Sequence, residues 1–446
     1  MYKVYKVTNF RTIPQVQQHL SEEDMFNIEV VGQVFPFKVN NYVIEELINW
    51  NNWRNDPMYA LTFPAREMLS EAHFNQVAIA LRENWPKEPL KLLCNSIRLQ
   101  LNPNPAGQME LNTVELEGNA VSGIQHKYEQ TVLFFPGNGQ TCHAYCTFCF
   151  RWPQFTGMEE HKFSSNEADV LVNYLKAHPK VTDVLITGGD PLIMKTALLK
   201  KYIQPLLEAD LPHVKNIRIG TKTLSFWPFR FLTDNDSDEL MELFESVGAA
   251  GKHLAVMAHF NHPQELSTQA VVQAIDRIRA TGAEIRTQSP LMRTINDAPE
   301  IWAELWQRQV QLGLIPYYMF LARDTGAQHY FGVPLVRAWN IFKKAYQSVS
   351  GIARTVRGPS MSATPGKVQV CGVAEIKGEK VFVLNFIQAR NADWVQVPFF
   401  ARYNENAIWL DELRPAFNEK HFFFEQKPQS LHLQHMLPEE DYVLLS

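Results

Sequence analysis

From about residue 130 onward, short apolar runs alternate with longer stretches of helical periodicity. TVLFFPG (131–137) reads as a buried strand. SSNEADVLVNYLKAH (164–178) repeats apolar residues three and four apart, behind a capping serine and an acidic first turn. VTDVLITGGDP (181–191), NIRIGTK (216–222), HLAVMAHF (253–260), EIRTQSPLMR (284–293) and IPYYMFLARD (315–324) continue the strands. Between them lie helices TALLKKYIQPLLEAD (196–210), SDELMELFESVG (237–248), STQAVVQAIDRIRATG (267–282) and PEIWAELWQRQVQLG (299–313). Six strands in this rhythm predict an α/β fold with a parallel sheet and right-handed crossovers. Six units are too few for a closed eight-stranded barrel, and a partial barrel or an open sheet would fit equally.

The flanks differ. Residues 1–110 read as a mostly helical region (22–33, 41–53 and 70–84), broken at Asn55-Asp56-Pro57. Residues 111–345 hold the alternating units. The C-terminal region, 346–446, turns β-rich, with a hairpin over 366–386 turning at 377–380. Aromatic clusters at 35–50 and 417–426 fit core packing or a homo-oligomer interface. A formal net charge of −5 and no dense basic tract argue against nucleic acid as a partner. No apolar run approaches a membrane span, and the opening MYKVYKVTNF shows no secretory pattern, so a cytoplasmic protein is expected.

Chemistry in parallel α/β folds sits at the carboxyl ends of the strands, and this chain's unusual residues gather there. TCHAYCTFCF (141–150) carries Cys142, Cys146 and Cys149, three of the chain's five cysteines, spaced C-x3-C-x2-C. Clustered thiols in a chain expected to be cytosolic point to a metal site or redox catalysis rather than disulfides. Three thiolates in one loop suit a 4Fe-4S cubane that leaves one iron open to a small molecule. A zinc site completed by His143 or Cys371 is the competing reading. The other strand ends carry Gly188-Gly189-Asp190, Thr221-Lys222, His259 to His262, Gln288-Ser289 and Arg323-Asp324. Paired glycines let a backbone approach a ligand closely, and His262 before Pro263 also reads as a turn cap.

The three-cysteine loop after the first strand, followed by LITGGDP, resembles the radical SAM superfamily. Further stretches resemble its lysine 2,3-aminomutase family: HKY (126–128), Arg151 two after the last cysteine, RIGTKT (218–223), HFNHPQEL (259–266), QSPLMRTIND (288–297) and PYYMF (316–320). INWNNWRNDPM (48–58) is similar to that family's segment ahead of the barrel. The resemblance implies a partial (β/α)6 barrel with a helical N-terminal region and a small β-containing C-terminal region. It implies a 4Fe-4S cluster on Cys142, Cys146 and Cys149. S-adenosyl-L-methionine would be lined by Gly188, Gly189, Asp190, Thr221, His259 and Gln288. The reaction implied is an isomerase's: hydrogen abstraction from an amino-acid-like substrate by a 5′-deoxyadenosyl radical, then 1,2-migration of an amino group held on pyridoxal phosphate. A reducing donor such as flavodoxin or ferredoxin would supply electrons. Arg151 matches the arginine that grips the substrate carboxylate, a task suited to a bidentate guanidinium.

The chain departs from the family pattern around pyridoxal phosphate and the substrate. Lys127 fills the first of two basic positions expected at the phosphate, but Thr131 stands at the second. Lys367, after Gly366, is either the Schiff-base lysine on a shortened loop or part of a downstream strand with the lysine segment deleted. If it is the latter, the same scaffold is a radical SAM enzyme without pyridoxal phosphate, acting on another carboxylate-bearing substrate. Arg323, with Asp324 beside it, stands where lysine-specific members place an aspartate for the distal ammonium.

Overall fold

The computed structural model describes residues 2–116, 118–158 and 162–425. Two short strands, β1 (Val4–Lys6) and β2 (Lys38–Asn40), pair antiparallel in the N-terminal region. Among the described residues all other strands form one sheet. A hairpin of β3 (Thr113–Leu116) and β4 (Asn119–Tyr128) leads into β5 (Thr131–Phe134). Next come β6 (Asp183–Ile186), β7 (Asn216–Thr221), β8 (His253–His259), β9 (Glu284–Leu291) and β10 (Ile315–Leu321), each parallel to the one before. Helices Ala168–Ala177, Thr196–Glu208, Ser237–Ala249, Gln269–Ala280, Pro299–Gln311 and Leu335–Gln347 follow the six strands β5 to β10 in turn. The α/β architecture of six βα units read from the sequence is therefore present.

The period-2 rule of strands sorts the side chains. Val184, Ile186, Ile217, Ile219 and Ile285 are fully or almost fully buried in the core. Their neighbours Asp183, Arg218, Glu284 and Arg286 point to the opposite face, where Arg218 bonds Asp183 at 2.5 Å. A sheet face carrying paired charges lines a polar lumen rather than packing on helices.

Two expectations change. A seventh parallel strand, β11 (Arg357–Ser362), pairs with β10, and β12 (Gly366–Ile376), β13 (Glu379–Ala389) and β14 (Phe399–Arg402) extend the same sheet antiparallel. The sheet thus runs across residue 345 without interruption. The helix expected over 41–53 is instead a π turn, Val43–Leu47, followed by a 3-10 segment, Trp50–Asn55. There Asn40 Oδ1 accepts from Val43 N, and the Trp50 indole donates to Ile44 O, bonds that replace a continuous helical ladder. The aromatic clusters are core: Phe35, Phe37 and Tyr42 are buried, and Phe422 and Phe424 pack on Phe399. Residues 426–446 of the C-terminal region lie outside the described residues.

The sheet curls until its two halves meet. Lys127, at the end of β4, donates to Ala363 O in the β11–β12 turn. Arg390, just past β13, donates to Thr364 O, Leu111 O and Asn112 Oδ1. Side chains, not ladder hydrogen bonds, close this seam.

Candidate active site

The cysteine loop lies at the carboxyl end of β5 and is held from two sides. From outside, the N-terminal layer fixes its backbone: Tyr145 N donates to Lys38 O (2.8 Å), Thr147 N to Leu61 O (2.9 Å), and the Tyr2 hydroxyl to His143 O (2.8 Å). From the lumen side, Asp190 N donates to Thr141 O (2.7 Å) and Gly139 O (3.1 Å). Gly189 has no room for a side chain, because a Cβ there would lie 2.4 Å from Thr141 N. Gly188 adopts φ +141°, a conformation glycine tolerates, beneath the Gln140 side chain. Gln140 Oε1 is buried without a hydrogen-bond partner.

Cys142, Cys146 and Cys149 are all free thiols in the loop; Cys142 feels the charge of the other two, Cys146 that of Cys149, and Cys149 that of Arg151. Burial pushes Cys142 and Cys146 up as thiols. Among the described residues, no three His, Cys, Asp or Glu side chains converge tightly enough for a single metal ion. The zinc completion is not assembled. His143 is buried, its proton affinity pushed down to about 3, with its ring bonded to Thr223 Oγ1 (3.1 Å) and packed on Tyr2. Cys371 is exposed on β12.

Asp190 and Thr221 bind each other. The carboxylate accepts from Thr221 Oγ1 (2.7 and 2.9 Å), Lys222 N (2.8 Å) and Leu192 N (3.0 Å), so it ties the ends of β6 and β7 together. Their side-chain oxygens are thus engaged within the protein at the ends of the two strands. His259 is kept neutral by burial and lies 5.6 Å from the Phe148 ring. Gln288 is half-buried beside it, in register on β9. His262 caps a turn, accepting from Gln264 N (3.2 Å). Beneath them Lys222 is paired with the fully buried Glu265.

Two arginines share one aromatic ring. The guanidinium carbons of Arg151 and Arg323 each lie 5.0 Å from the Phe150 centroid, and Arg151 also lies 4.5 Å from Phe135. Arg151 is 8% exposed, its Nη1 has no partner, and burial pushes it down to about 10. Arg323 donates to Pro105 O (3.3 Å), and its Nε sits 3.7 Å from Asp324 Oδ1. Asp324 only partly offsets the charge of Arg323, since neither Arg323 Nε nor Asp324 Oδ1 has a hydrogen-bond partner and burial raises the proton affinity of Asp324. Arg151 N–H groups remain free for an anion.

Lys367 is the second residue of β12, paired with Ser362 across a three-residue turn, 363–365. Its amine donates to Gln388 Oε1 (2.7 Å) and lies over the rings of Tyr318 (4.6 Å) and Tyr128 (5.5 Å). Burial, with Arg218 and Arg357 nearby, pushes it down to about 7, and Lys127 is pushed to about 6. Thr131 is buried at the start of β5. Sequence reasoning missed Lys38, whose ammonium reaches the cysteine loop from β2. Its one signal was a lysine inside the apolar run FPFKV.

No family model matches the chain. It is 31% identical over 396 residues to a protein of Aquifex aeolicus named "Putative L-lysine 2,3-aminomutase", covering 89% of this chain and 92% of that one. It is 26% identical to the L-lysine 2,3-aminomutase of Haemophilus influenzae over 71% of this chain and 95% of that one. The L-lysine 2,3-aminomutase of Clostridium subterminale is 28% identical over 60% of this chain and 61% of its own length. Among solved structures, Streptococcus suis SuiB bound to precursor peptide SuiA aligns at 11% identity and a TM-score of 0.34. That alignment covers 70% of this chain and 66% of the other.

Proposed function

Because this chain belongs to the lysine 2,3-aminomutase family, we propose that it is a radical SAM isomerase that moves an amino group between adjacent carbons of an amino acid. Cys142, Cys146 and Cys149 would hold a 4Fe-4S cluster. The donor set fits one, since three thiolates leave an iron open. Gly188 and Gly189 would carry the backbone against S-adenosyl-L-methionine, and the unpartnered Gln140 Oε1 fits a polar ligand there. His259 and Gln288 line the same side. Cluster and S-adenosyl-L-methionine together supply the 5′-deoxyadenosyl radical that abstracts hydrogen, with electrons from a donor such as flavodoxin or ferredoxin. Lys367 and Lys127 fit pyridoxal phosphate: Lys367 as a buried amine of low proton affinity for the carbonyl, with the cations Arg218 and Arg357 near it, and Lys127 as an amine that a phosphate dianion would protonate.

The rest falls to this chain's own side chains. Arg151 grips the substrate carboxylate through its free N–H groups and so orients the carbon to be attacked. Arg323 and Asp324, across the shared Phe150 ring contact from Arg151, would meet the substrate's distal end. A lysine ammonium would face a buried guanidinium there, so an acidic or neutral side chain fits better. The observation that carries the reading is Arg151, buried beside the cysteine loop with an orphaned N–H.

A second reading has its own support. Lys367 lies within a strand after a three-residue turn, not on a glycine-rich loop, which favours radical chemistry without pyridoxal phosphate on another carboxylate-bearing substrate. One experiment separates the two. Anaerobically reconstituted protein is examined by visible and EPR spectroscopy for the cluster, then treated with borohydride in excess pyridoxal phosphate and mapped for a pyridoxyl-lysine. Cluster plus adduct supports the aminomutase; cluster without adduct supports the second reading; stoichiometric zinc without iron or sulfide refutes both.

A further inference from the structure

Lys38 is a buried cation without a counter-charge. It is 8% exposed on β2, and its ammonium donates to Thr141 Oγ1 (3.2 Å) and to Cys142 O. It also lies 5.6 Å from the Tyr145 ring. Among the described residues no carboxylate pairs with it, and the nearby ionisable groups are Cys142 and the like-charged Lys6. The buried Lys222 differs, because Glu265 pairs with it. A buried ammonium costs several kcal/mol unless an opposite charge stands near, and a carbonyl and a hydroxyl supply hydrogen bonds but no charge.

The missing negative charge is the one that cluster thiolates bring. We propose that Lys38 is the counter-ion of the iron–sulfur cluster, set there by the N-terminal layer to raise the cluster's reduction potential. The inference rests on the cluster assignment above. Reduction by one electron adds negative charge beside a fixed ammonium, so the reduced state gains more from Lys38 than the oxidised state does. Net charge and burial around a cluster are the levers by which proteins tune its potential. Backbone anchoring of the loop by β2 is separate, because Tyr145 N bonds Lys38 O rather than the side chain. The side chain can therefore be changed while the strand stays paired.

The test is an EPR-monitored redox titration of reconstituted wild type, Lys38→Met and Lys38→Arg, without S-adenosyl-L-methionine, with iron and sulfide assayed in each. Lys38→Met should lose at least tenfold in the reduction equilibrium, a midpoint about 59 mV more negative for a one-electron couple. Lys38→Arg, which keeps the charge, should stay near wild type. Loss of the cluster in Lys38→Met but not in Lys38→Arg would support the same role. An unchanged midpoint in Lys38→Met would overturn the proposal, as would loss of the cluster in both variants, which would mark the position as packing alone. Absence of a cluster from wild type would instead defeat the functional reading beneath it.

Discussion

Replacing Arg151 with Gln separates binding from folding. The guanidinium makes no hydrogen bond to the described residues; its contacts are the rings of Phe135 and Phe150. Each cation–π contact is worth about 0.5–2 kcal/mol. Against them stands a desolvation cost of several kcal/mol for an unpaired buried ion. Thermal stability of the apo-protein should therefore hold or rise in Arg151→Gln. Turnover should move the other way. Losing a charge-assisted pair in a dry site costs on the order of 2–5 kcal/mol. At about 1.4 kcal/mol per tenfold, that is roughly a 30- to 4,000-fold fall in kcat/KM. The assay has three parts: melting by differential scanning calorimetry, amino-acid isomerisation by chromatography, and 5′-deoxyadenosine release. The variant should keep its iron and a slow, unproductive cleavage of S-adenosyl-L-methionine. Turnover within threefold of wild type, or a large loss of stability, would refute the assignment of Arg151 to a substrate anion.

Alanine at any one of Cys142, Cys146 or Cys149 should abolish the cluster's visible absorbance, whereas Cys94→Ala and Cys371→Ala should keep it; a cluster surviving any of the first three would break the ligand assignment. Arg323→Asp should shift substrate preference toward lysine, read as the ratio of kcat/KM for lysine to that for the best acidic or neutral amino acid, and an unmoved ratio would remove Arg323 from the site. Burial pushes the proton affinities of Lys127 and Lys367 in the folded state down to about 6 and about 7, far below those of the unfolded chain. Between those values and the ordinary lysine range the unfolded state binds more protons, so apo-protein stability should rise with pH across that window. Denaturation midpoints at pH 7 and 9 should show this slope, and Lys127→Met with Lys367→Met should flatten it; an equal slope in the double variant would contradict their burial.

The βα units were legible because their strands are apolar runs with glycine or proline at the exits, and the functional residues fall at those exits. β11, RGPSMS, was not legible. It carries glycine, proline and two serines, and it is a strand because β10 and β12 pair with it on either side. The family resemblance puts Asp190 and Thr221 on the S-adenosyl-L-methionine side, and what it leaves out is that their side-chain oxygens bond each other and Lys222 and Leu192. Lys38 illustrates a third gap: its partner lies 104 positions away, and no local pattern links β2 to the cysteine loop.

The seam between β4 and the β11–β12 turn bears on how the chain folds. Its bonds join residues 236 positions apart at Lys127 and Ala363, and 279 apart at Arg390 and Leu111. Closing such loops costs entropy that only the finished contacts return, and folding slows as contacts become more distant in sequence. The βα units and the N-terminal anchors of the cysteine loop connect residues that emerge earlier in synthesis. A nascent chain released only as far as residue 350 holds the loop and six parallel strands, with the interior still open along one side. Residues 351–390 shut that side, so hydrogen exchange along the seam should reach protection later than exchange in β6 to β8.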